Sequence, residues 1–123
     1  MSAPTDDDHL MTLIERIAQR DEVALKALYD LTARKLYGLS LRVVGSAEAA
    51  EDALQETFVQ VWRTAGDYRA SLSPPMAWLG LIVRSRSLDS LRRRAAERSH
   101  LTQELDETLA DTLEGDAPDP LDT

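Results

Sequence analysis

The stretch from Ser46 to Gly66 reads SAEAAEDALQETFVQVWRTAG and predicts a helix. Its apolar side chains recur at spacings of three and four residues, which places them on one helical face. Ser46 can supply an N-cap oxygen, and Gly66 can end the helix. The predicted buried side consists of Ala50, Ala53, Leu54, Thr57, Phe58 and Val61.

The opposite side of this helix is acidic and rich in amides. It carries Glu48, Glu51, Asp52, Gln55, Glu56, Gln60 and Trp62, and no basic residue follows until Arg63. A helix that only needs to be soluble usually mixes charges, because glutamate and lysine four residues apart stabilise it. Composition alone leaves two interpretations open, a solvated face and an acidic recognition face for a basic partner.

Two more helices are predicted upstream. Leu10, Leu13, Ile14 and Ile17 have the spacing of one helical face, so the first helix should run from about Asp6 to Arg20. Asp21 can cap a second, longer helix that ends at Gly45. The apolar stripe predicted for that helix is Leu25, Leu28, Thr32, Leu36, Leu39 and Val43.

A loop and a fourth helix are predicted downstream. Turn-forming residues from Gly66 to Pro75 interrupt the helical pattern, and Pro75 can occupy the first turn of a new helix. The apolar side of this helix is Trp78, Leu79, Ile82, Val83, Leu88 and Leu91. No segment alternates as a strand would. The predicted fold is all-α, a compact bundle of about four helices.

Charge is distributed unevenly along the chain. The formal net charge is -8. All of it lies in residues 101–123, which contain eight acids and no base, so the preceding hundred residues sum to zero. Leucines at Leu101, Leu105, Leu109 and Leu113 keep a helical spacing before Gly115 and the prolines. We expect a frayed helix there, followed by an acidic, largely flexible tail.

The composition argues against several classes of function. The chain has no cysteine and only two histidines, His9 and His100, which lie in separate polar segments. Neither a phosphate-binding loop nor a metal-binding pair is present, so we predict no catalytic residue, no metal and no cofactor. No apolar stretch approaches the roughly 20 residues of a membrane span, so we expect no membrane insertion and a cytoplasmic protein.

Aromatic residues adjoin an arginine-rich helix. Tyr68, Arg69 and Trp78 precede six arginines between Arg84 and Arg98. Unpaired bases stack on aromatic rings while arginines neutralise phosphates, so the combination favours partly single-stranded DNA. Trp78 can equally be a core residue, and the arginines an ordinary charged helix end. A membrane surface, a protein adaptor that does not bind DNA, and an enzyme acting on nucleic acid are weaker alternatives.

Two motifs together resemble a known family. DALQETFVQVW at residues 52–62 and PMAWLGLIVRSRSLDSLRRR at residues 75–94, separated by a short loop, resemble region 2 of extracytoplasmic function (ECF) sigma factors of the sigma-70 family. The resemblance covers about residues 24–98. It implies a non-enzymatic transcription initiation module that binds RNA polymerase core and recognises and helps melt the promoter -10 element.

The resemblance also implies roles for individual residues. The family docks its third helix on the coiled coil of the polymerase beta-prime clamp. The corresponding residues are Asp52, Gln55, Glu56, Val59 and Trp62. The loop from Tyr68 to Ser73 would capture a flipped base, and the next helix would contact the -10 duplex edge and the non-template strand. The implied DNA-binding residues are Tyr68, Arg69, Ser71, Trp78, Arg84, Ser85, Arg86, Arg92, Arg93 and Arg94.

This chain departs from the family pattern in places. Ser85 stands where the family commonly has asparagine, so the paired donor and acceptor of a carboxamide are missing at that position. Trp78 is followed by Leu79 rather than by the second tryptophan of housekeeping relatives, which suggests weaker melting. The family continues into a helix-turn-helix region 4 domain, which this chain does not contain. We predict a region 2 domain over residues 1–100 and an acidic interdomain linker over 101–123 that threads the polymerase channel, and expect an anti-sigma factor as a further partner.

Overall fold

The fold is built from four α-helices. The computed structural model of the chain describes residues 6–113. The helices are α1 (Asp7–Ala18), α2 (Glu22–Val44), α3 (Ala47–Thr64) and α4 (Pro75–Leu113), with a 3₁₀ turn over Ala65–Asp67 between α3 and the loop. Residues 6–113 contain no strand. The all-α prediction and the number of helices are confirmed.

The chain divides into two units at the boundary between Leu91 and Arg92. The first unit contains the hydrophobic core, to which every helix contributes. Its central members include Leu10, Ile17, Leu28, Leu36, Phe58, Val61, Leu79 and Val83. Each such side chain contributes about 1.5–3 kcal/mol when it is fully buried. The predicted buried side of α3 is confirmed, since all six of its residues are buried.

Capping side chains define the helix boundaries as the sequence predicts. The Asp21 carboxylate accepts hydrogen bonds from the backbone N–H groups of Val23 and Ala24, at 3.0 and 3.2 Å. Gly45 follows α2 with a φ of 75°, a left-handed conformation that suits glycine. The Ser46 hydroxyl accepts a hydrogen bond from the Ala49 N–H at the start of α3.

The prediction that Gly66 ends α3 is wrong. The helix ends at Thr64, and Gly66 lies inside the 3₁₀ turn that follows. The turn closes with a hydrogen bond from the Tyr68 N–H to the Ala65 carbonyl, at 3.2 Å. Ala65 is buried, so tightening the last turn keeps the chain against the core, whereas a left-handed glycine would redirect it.

The buried line of α2 also differs from the predicted stripe. Leu39 is partly exposed, and its neighbour Ser40 is fully buried. The Ser40 hydroxyl lies 2.6 Å from the Ser87 hydroxyl of α4. The buried residues of α2 are Ala24, Leu28, Thr32, Leu36 and Ser40, a row with a spacing of four. Such a row winds around the helix, because four residues exceed one turn of about 3.6 residues, and its C-terminal end meets α4 at Ser87.

Helix α4 begins at Pro75, as predicted, and Pro75 is fully buried. The helical spacing expected after Leu101 is confirmed, since the helix continues to Leu113. In the second unit, His100 Nε2 and Glu104 Oε1 lie 2.9 Å apart. The rest of the predicted linker, residues 114–123, lies outside the described residues. Within the described part of the chain, no helix has both the length and the apolarity that crossing a bilayer requires.

Candidate functional site

An apolar groove of about 500 Å³ runs between α2 and α3. The α2–α3 groove, as we call it, is lined by Glu22, Leu25, Tyr29, Gln55, Phe58, Val59 and Trp62. Val59 is 54% exposed and Tyr29 is 41% exposed, although both are large apolar or aromatic side chains. Exposed apolar surface of this kind, with polar residues beside it, is typical of a protein-binding site.

The floor of the α2–α3 groove is held by aromatic packing. The rings of Tyr29 and Phe58 meet edge to face, with their centroids 4.9 Å apart. Phe58 belongs to the core, so its contact holds one side of the Tyr29 ring while another part of that ring faces solvent. Edge-to-face pairs contribute about 0.5–1.5 kcal/mol beyond the area they bury. The groove is therefore formed before any partner arrives.

The structure brings together three of the five residues that the resemblance assigns to polymerase binding. Gln55, Val59 and Trp62 line the α2–α3 groove. Asp52 and Glu56 lie on the same helix but do not line it; Asp52 is exposed and Glu56 is half-buried. Carboxylates therefore stand beside an apolar depression, an arrangement suited to a partner that combines basic and apolar side chains.

Trp62, at one end of the groove, is held by a residue from the turn between α1 and α2. The Arg20 guanidinium donates a hydrogen bond to the Trp62 carbonyl at 2.6 Å. The same guanidinium lies over the indole ring, 5.1 Å from its centroid. Trp62 is half-buried and packs against the core. Both its backbone and its ring are therefore fixed by Arg20.

The second candidate surface begins in the loop between the 3₁₀ turn and α4. Tyr68 and Trp78 pack on each other, with ring centroids 5.0 Å apart, and both are half-buried against the core. The Tyr68 hydroxyl donates to the Ser73 carbonyl at 2.8 Å, which closes the loop. Burial raises the pKa of Tyr68, and the Asp7 carboxylate adds to the increase, so the phenol remains a donor.

The other predicted loop residues are exposed. Arg69 donates hydrogen bonds to the carbonyls of Gly66 and Tyr68, at 2.8 and 3.1 Å, so its guanidinium braces the loop backbone. Ser71 is exposed at the loop tip, next to Leu72, which is 82% exposed. The loop is therefore braced by hydrogen bonds at Arg69 and exposed to solvent at Ser71 and Leu72.

The arginines of α4 that precede Leu91 differ in their surroundings. Arg84 and Ser85 are exposed. Arg86 is half-buried and forms an ion pair with Asp89 at 2.7 Å, while its Nε is buried without a hydrogen-bond partner. Leu81, one turn before Ser85, is 64% exposed. Arg84 and Ser85 therefore face solvent as a DNA contact requires, whereas Arg86 is already engaged within its own helix.

Arg92, Arg93 and Arg94 belong to the second unit. They follow one another on α4, and Arg92 and Arg93 are exposed while Arg94 is half-buried. Three consecutive arginines on one helix point in different directions, since successive residues are about 100° apart around the axis. The role assigned to them stays a prediction.

A smaller pocket of about 200 Å³ lies between α1 and the loop. Its lining includes Met11, Glu15, Gln19, Gly66, Tyr68 and Ala70. Aromatic and apolar groups form most of its wall, and the Glu15 carboxylate and the Gln19 amide supply polar groups. Within residues 6–113, no group of histidine and carboxylate side chains is arranged to hold a metal ion.

Sequence reasoning did not single out several residues of these surfaces. Leu25 belongs to the predicted buried stripe of α2, and no sequence pattern assigns Tyr29 or Arg20 to a binding surface. Tyr29 follows Leu25 by four residues, and Leu81 precedes Leu88 by seven, so both stand at helical spacing from the predicted stripes. Periodicity alone therefore did not mark either residue as exposed, and the structure shows that both are. No sequence pattern pointed to Arg20, because its contact with Trp62 joins distant parts of the chain.

Comparison with known proteins gives a consistent picture. The family model described as Sigma-70 region 2 matches residues 28–97, which is more than half of the chain. The ECF RNA polymerase sigma factor SigK of Mycobacterium ulcerans (strain Agy99) is 38% identical over 93 residues, covering 76% of this chain and 50% of the relative.

Other relatives agree. SigK of Mycobacterium sp. (strain KMS) is 38% identical over 87 residues, 71% of this chain and 45% of the relative. SigK of Mycobacterium tuberculosis (strain ATCC 25177 / H37Ra) is 32% identical over 89 residues, 72% of this chain and 48% of the relative. The chain spans about half the length of the curated relatives it matches. It belongs to the sigma-70 region 2 family, in the ECF group.

Proposed function

We propose that this chain is a transcription initiation module that binds RNA polymerase core through the α2–α3 groove and engages the promoter -10 element through the loop and α4. The observation that carries the proposal is the separation of two surfaces on one small helical body. One surface is apolar beside carboxylates; the other combines the aromatic pair of the loop with the solvent-exposed Arg84 of α4. A polymerase subunit and a nucleic acid need these two different chemistries.

For the polymerase, the proposed docking surface consists of the acidic and amide residues of α3 together with the groove. Asp52, Gln55 and Glu56 would meet basic residues of the beta-prime clamp coiled coil, and Val59 with Trp62 would receive an apolar side chain. The exposure of Val59 supports this role, since burial of an exposed apolar side chain against a partner contributes favourable free energy to binding. Leu25 and Tyr29 extend the proposed contact to α2.

For DNA, the proposed contacts are phosphates at the exposed arginines and a base near the loop. Arg84 and the run from Arg92 to Arg94 would neutralise the non-template strand, and the exposed Ser85 would approach a base edge. The pocket between α1 and the loop is where we place an unstacked base, beside Tyr68 and the Gln19 amide. Binding of that base would offset the few kcal/mol that unstacking costs.

Tyr68 and Trp78 have a supporting role in this proposal. Their rings are packed on each other, and the Tyr68 hydroxyl is bonded to Ser73, so they stiffen the loop that bears Ser71. A stiff loop limits the conformational entropy lost when a base is captured. Arg69 would act in the same way through its hydrogen bonds to the loop carbonyls, and Arg86 would contact DNA only by exchanging Asp89 for a phosphate.

The proposed domain organisation follows the same division of roles. We assign residues 1–100 to the region 2 domain and residues 101–123 to an acidic interdomain linker, although α4 continues across residue 100. An anti-sigma factor is a further proposed partner, for which the exposed apolar residues of either surface are available.

The experiment that tests the proposal measures two affinities. The chain is titrated with bacterial core RNA polymerase, and the chain–core complex is then titrated with a fluorescent single-stranded DNA pool at several salt concentrations. We expect saturable core binding, and DNA binding that weakens steeply as salt rises, because phosphate contacts release counterions. Core binding with no salt-dependent DNA affinity would identify a protein adaptor instead, and absence of both would refute the proposal.

A further inference from the structure

Arg20 occupies a position that would ordinarily be filled by glycine. Its φ is 68°, and it is the one non-glycine residue within the described range with a positive φ. The turn is a Schellman motif: the Arg20 N–H bonds to the Ile17 carbonyl at 2.8 Å, and the Asp21 N–H bonds to the Arg16 carbonyl at 3.1 Å. Glycine is preferred at the left-handed position of this motif, because other residues are strained there.

The side chain of Arg20 gives a reason for the strained backbone. From the left-handed position it reaches the last turn of α3, where carbonyl groups lack an intrahelical partner and a cation is favoured. It donates to the Trp62 carbonyl and covers the indole ring. The neighbouring Arg16–Asp21 ion pair, at 2.9 Å, fixes the turn from its other side.

We infer that Arg20 is a positioning residue for the polymerase-docking surface, holding Trp62 so that one end of the α2–α3 groove is formed in advance. The inference rests on the function proposed above for that groove. Arg20 precedes the segment that matches the family model, residues 28–97, so membership of the family does not assign it this role. Its effect on docking is indirect and acts through the Trp62 ring and backbone.

The test compares Arg20→Gly with Arg20→Lys and a control. Glycine suits the left-handed backbone and removes the guanidinium, so the variant should fold with an unchanged or raised melting temperature. We expect its affinity for core polymerase to fall about three- to tenfold, because a Trp62 side chain that is no longer held must be ordered when the partner binds. Lysine should recover part of the affinity, since it retains the cation. Arg34→Ala removes an exposed arginine of α2 that does not line the groove and should change nothing.

A spectroscopic measurement separates positioning from general stability. In a Trp78→Phe background, used for this measurement alone, Trp62 is the only tryptophan, and its fluorescence quenching by acrylamide reports its exposure. We expect Arg20→Gly to increase quenching, because the guanidinium no longer covers the ring. Should the glycine variant fail to fold, Arg20→Asn, which also accepts a left-handed backbone, takes its place.

The possible results are distinct. Increased Trp62 quenching together with weaker core binding at an unchanged melting temperature supports the inference. Unchanged quenching, or unchanged core affinity in a protein whose wild type binds core, overturns it and leaves the proposed docking function standing. Failure of the wild-type chain to bind core overturns the docking function itself, and the role of Arg20 in docking with it.

Discussion

The α2–α3 groove and the loop with the outer face of α4 use similar residue types in opposite ways. In the groove, apolar side chains such as Val59 are exposed, and the exposed arginine Arg20 is bonded to another part of the protein, the Trp62 carbonyl. In the loop and α4, the aromatic rings of Tyr68 and Trp78 pack on each other, and the arginine Arg84 faces solvent. A preformed apolar site suits a folded protein partner, whereas solvent-facing cations suit a flexible, charged strand.

The two surfaces share one core, so the largest effect should come from damaging that core. Leu79 is fully buried at the start of α4 and packs in the same cluster as Phe58 and Val61 of α3. Leu79→Ala should lower the free energy of unfolding by about 2–5 kcal/mol through lost burial and a cavity. Denaturant unfolding followed by circular dichroism measures this, and core and DNA binding should weaken together near the lowered midpoint. Loss of one binding activity alone would mean that the surfaces are independently supported.

The next effect should separate the surfaces. Changing Gln55→Ala and Glu56→Ala together should abolish detectable binding to core polymerase, because both side chains would be covered in the proposed complex and their loss would leave basic groups of the partner unpaired. The helical signal and the melting temperature should stay near those of the wild type, since Gln55 is exposed and Glu56 half-buried.

Glu97→Ala provides the control, an exposed acid of α4 that lies outside the proposed docking surface and does not line the groove. DNA binding of the isolated double variant should equal that of the isolated wild type. Normal capture of core by the double variant would show that the polymerase contacts lie elsewhere.

A smaller effect distinguishes two arginines on the DNA-facing side. Arg84→Ala should weaken single-stranded DNA binding and reduce the slope of log affinity against log salt by about one, because it removes one phosphate contact. Arg86→Ala should change that slope less, since its guanidinium is already paired with Asp89. Titration of both variants at a series of salt concentrations makes the comparison. Equal slopes for the two variants would mean that Arg86 leaves Asp89 for the DNA.

The smallest effect concerns the turn that supports the groove. A hydrogen bond from Arg16 lowers the pKa of Asp21 below its ordinary value of 3.8, and backbone N–H groups add to the shift. A depressed carboxyl pKa means that the stabilisation is present above the ordinary value and is lost as pH falls through the lower, folded-state value. Asp21→Asn keeps an N-cap and removes the charge.

The melting temperature of Asp21→Asn should therefore lie slightly below that of the wild type at neutral pH, and the difference should close in strong acid. Thermal melts across the acidic range provide the measurement. A difference that persists unchanged at every pH would assign the effect to the cap geometry rather than to the ion pair.

Local signals predicted most of the fold correctly. Asp21, Gly45, Ser46 and Pro75 each mark a helix boundary by chemistry that acts within a few residues, and the structure places a boundary at each one. The prediction for Gly66 was wrong, because a glycine ends a helix only where the backbone takes a left-handed conformation. Here the chain continues in a 3₁₀ turn that keeps Ala65 buried. The prediction for Leu39 was wrong too, because α2 changes neighbours along its length and a fixed stripe cannot describe that.

The candidate surfaces divide in the same way. The acidic face of α3 could be predicted from periodicity, because the side opposite an apolar stripe faces solvent. The exposure of Arg84 could not, since Arg84 stands four residues before Leu88 and seven before Leu91 of the predicted stripe. Tyr68 packs on Trp78, and Arg86 forms an ion pair with Asp89. The sequence did not show that these residues would pair with each other rather than contact DNA. Long-range partners are chosen by packing, and packing depends on all the helices together.

The residues alone established an all-helical chain with a neutral body, an acidic C-terminal segment and two motifs of the sigma-70 region 2 family, because helical period, caps and charge are local properties. The folded protein decided that Leu25, Tyr29, Val59 and Trp62 meet in one groove and that Arg20 accepts a strained backbone to hold Trp62. The reason is physical: a contact between the α1–α2 turn and the end of α3 exists only once three helices have packed.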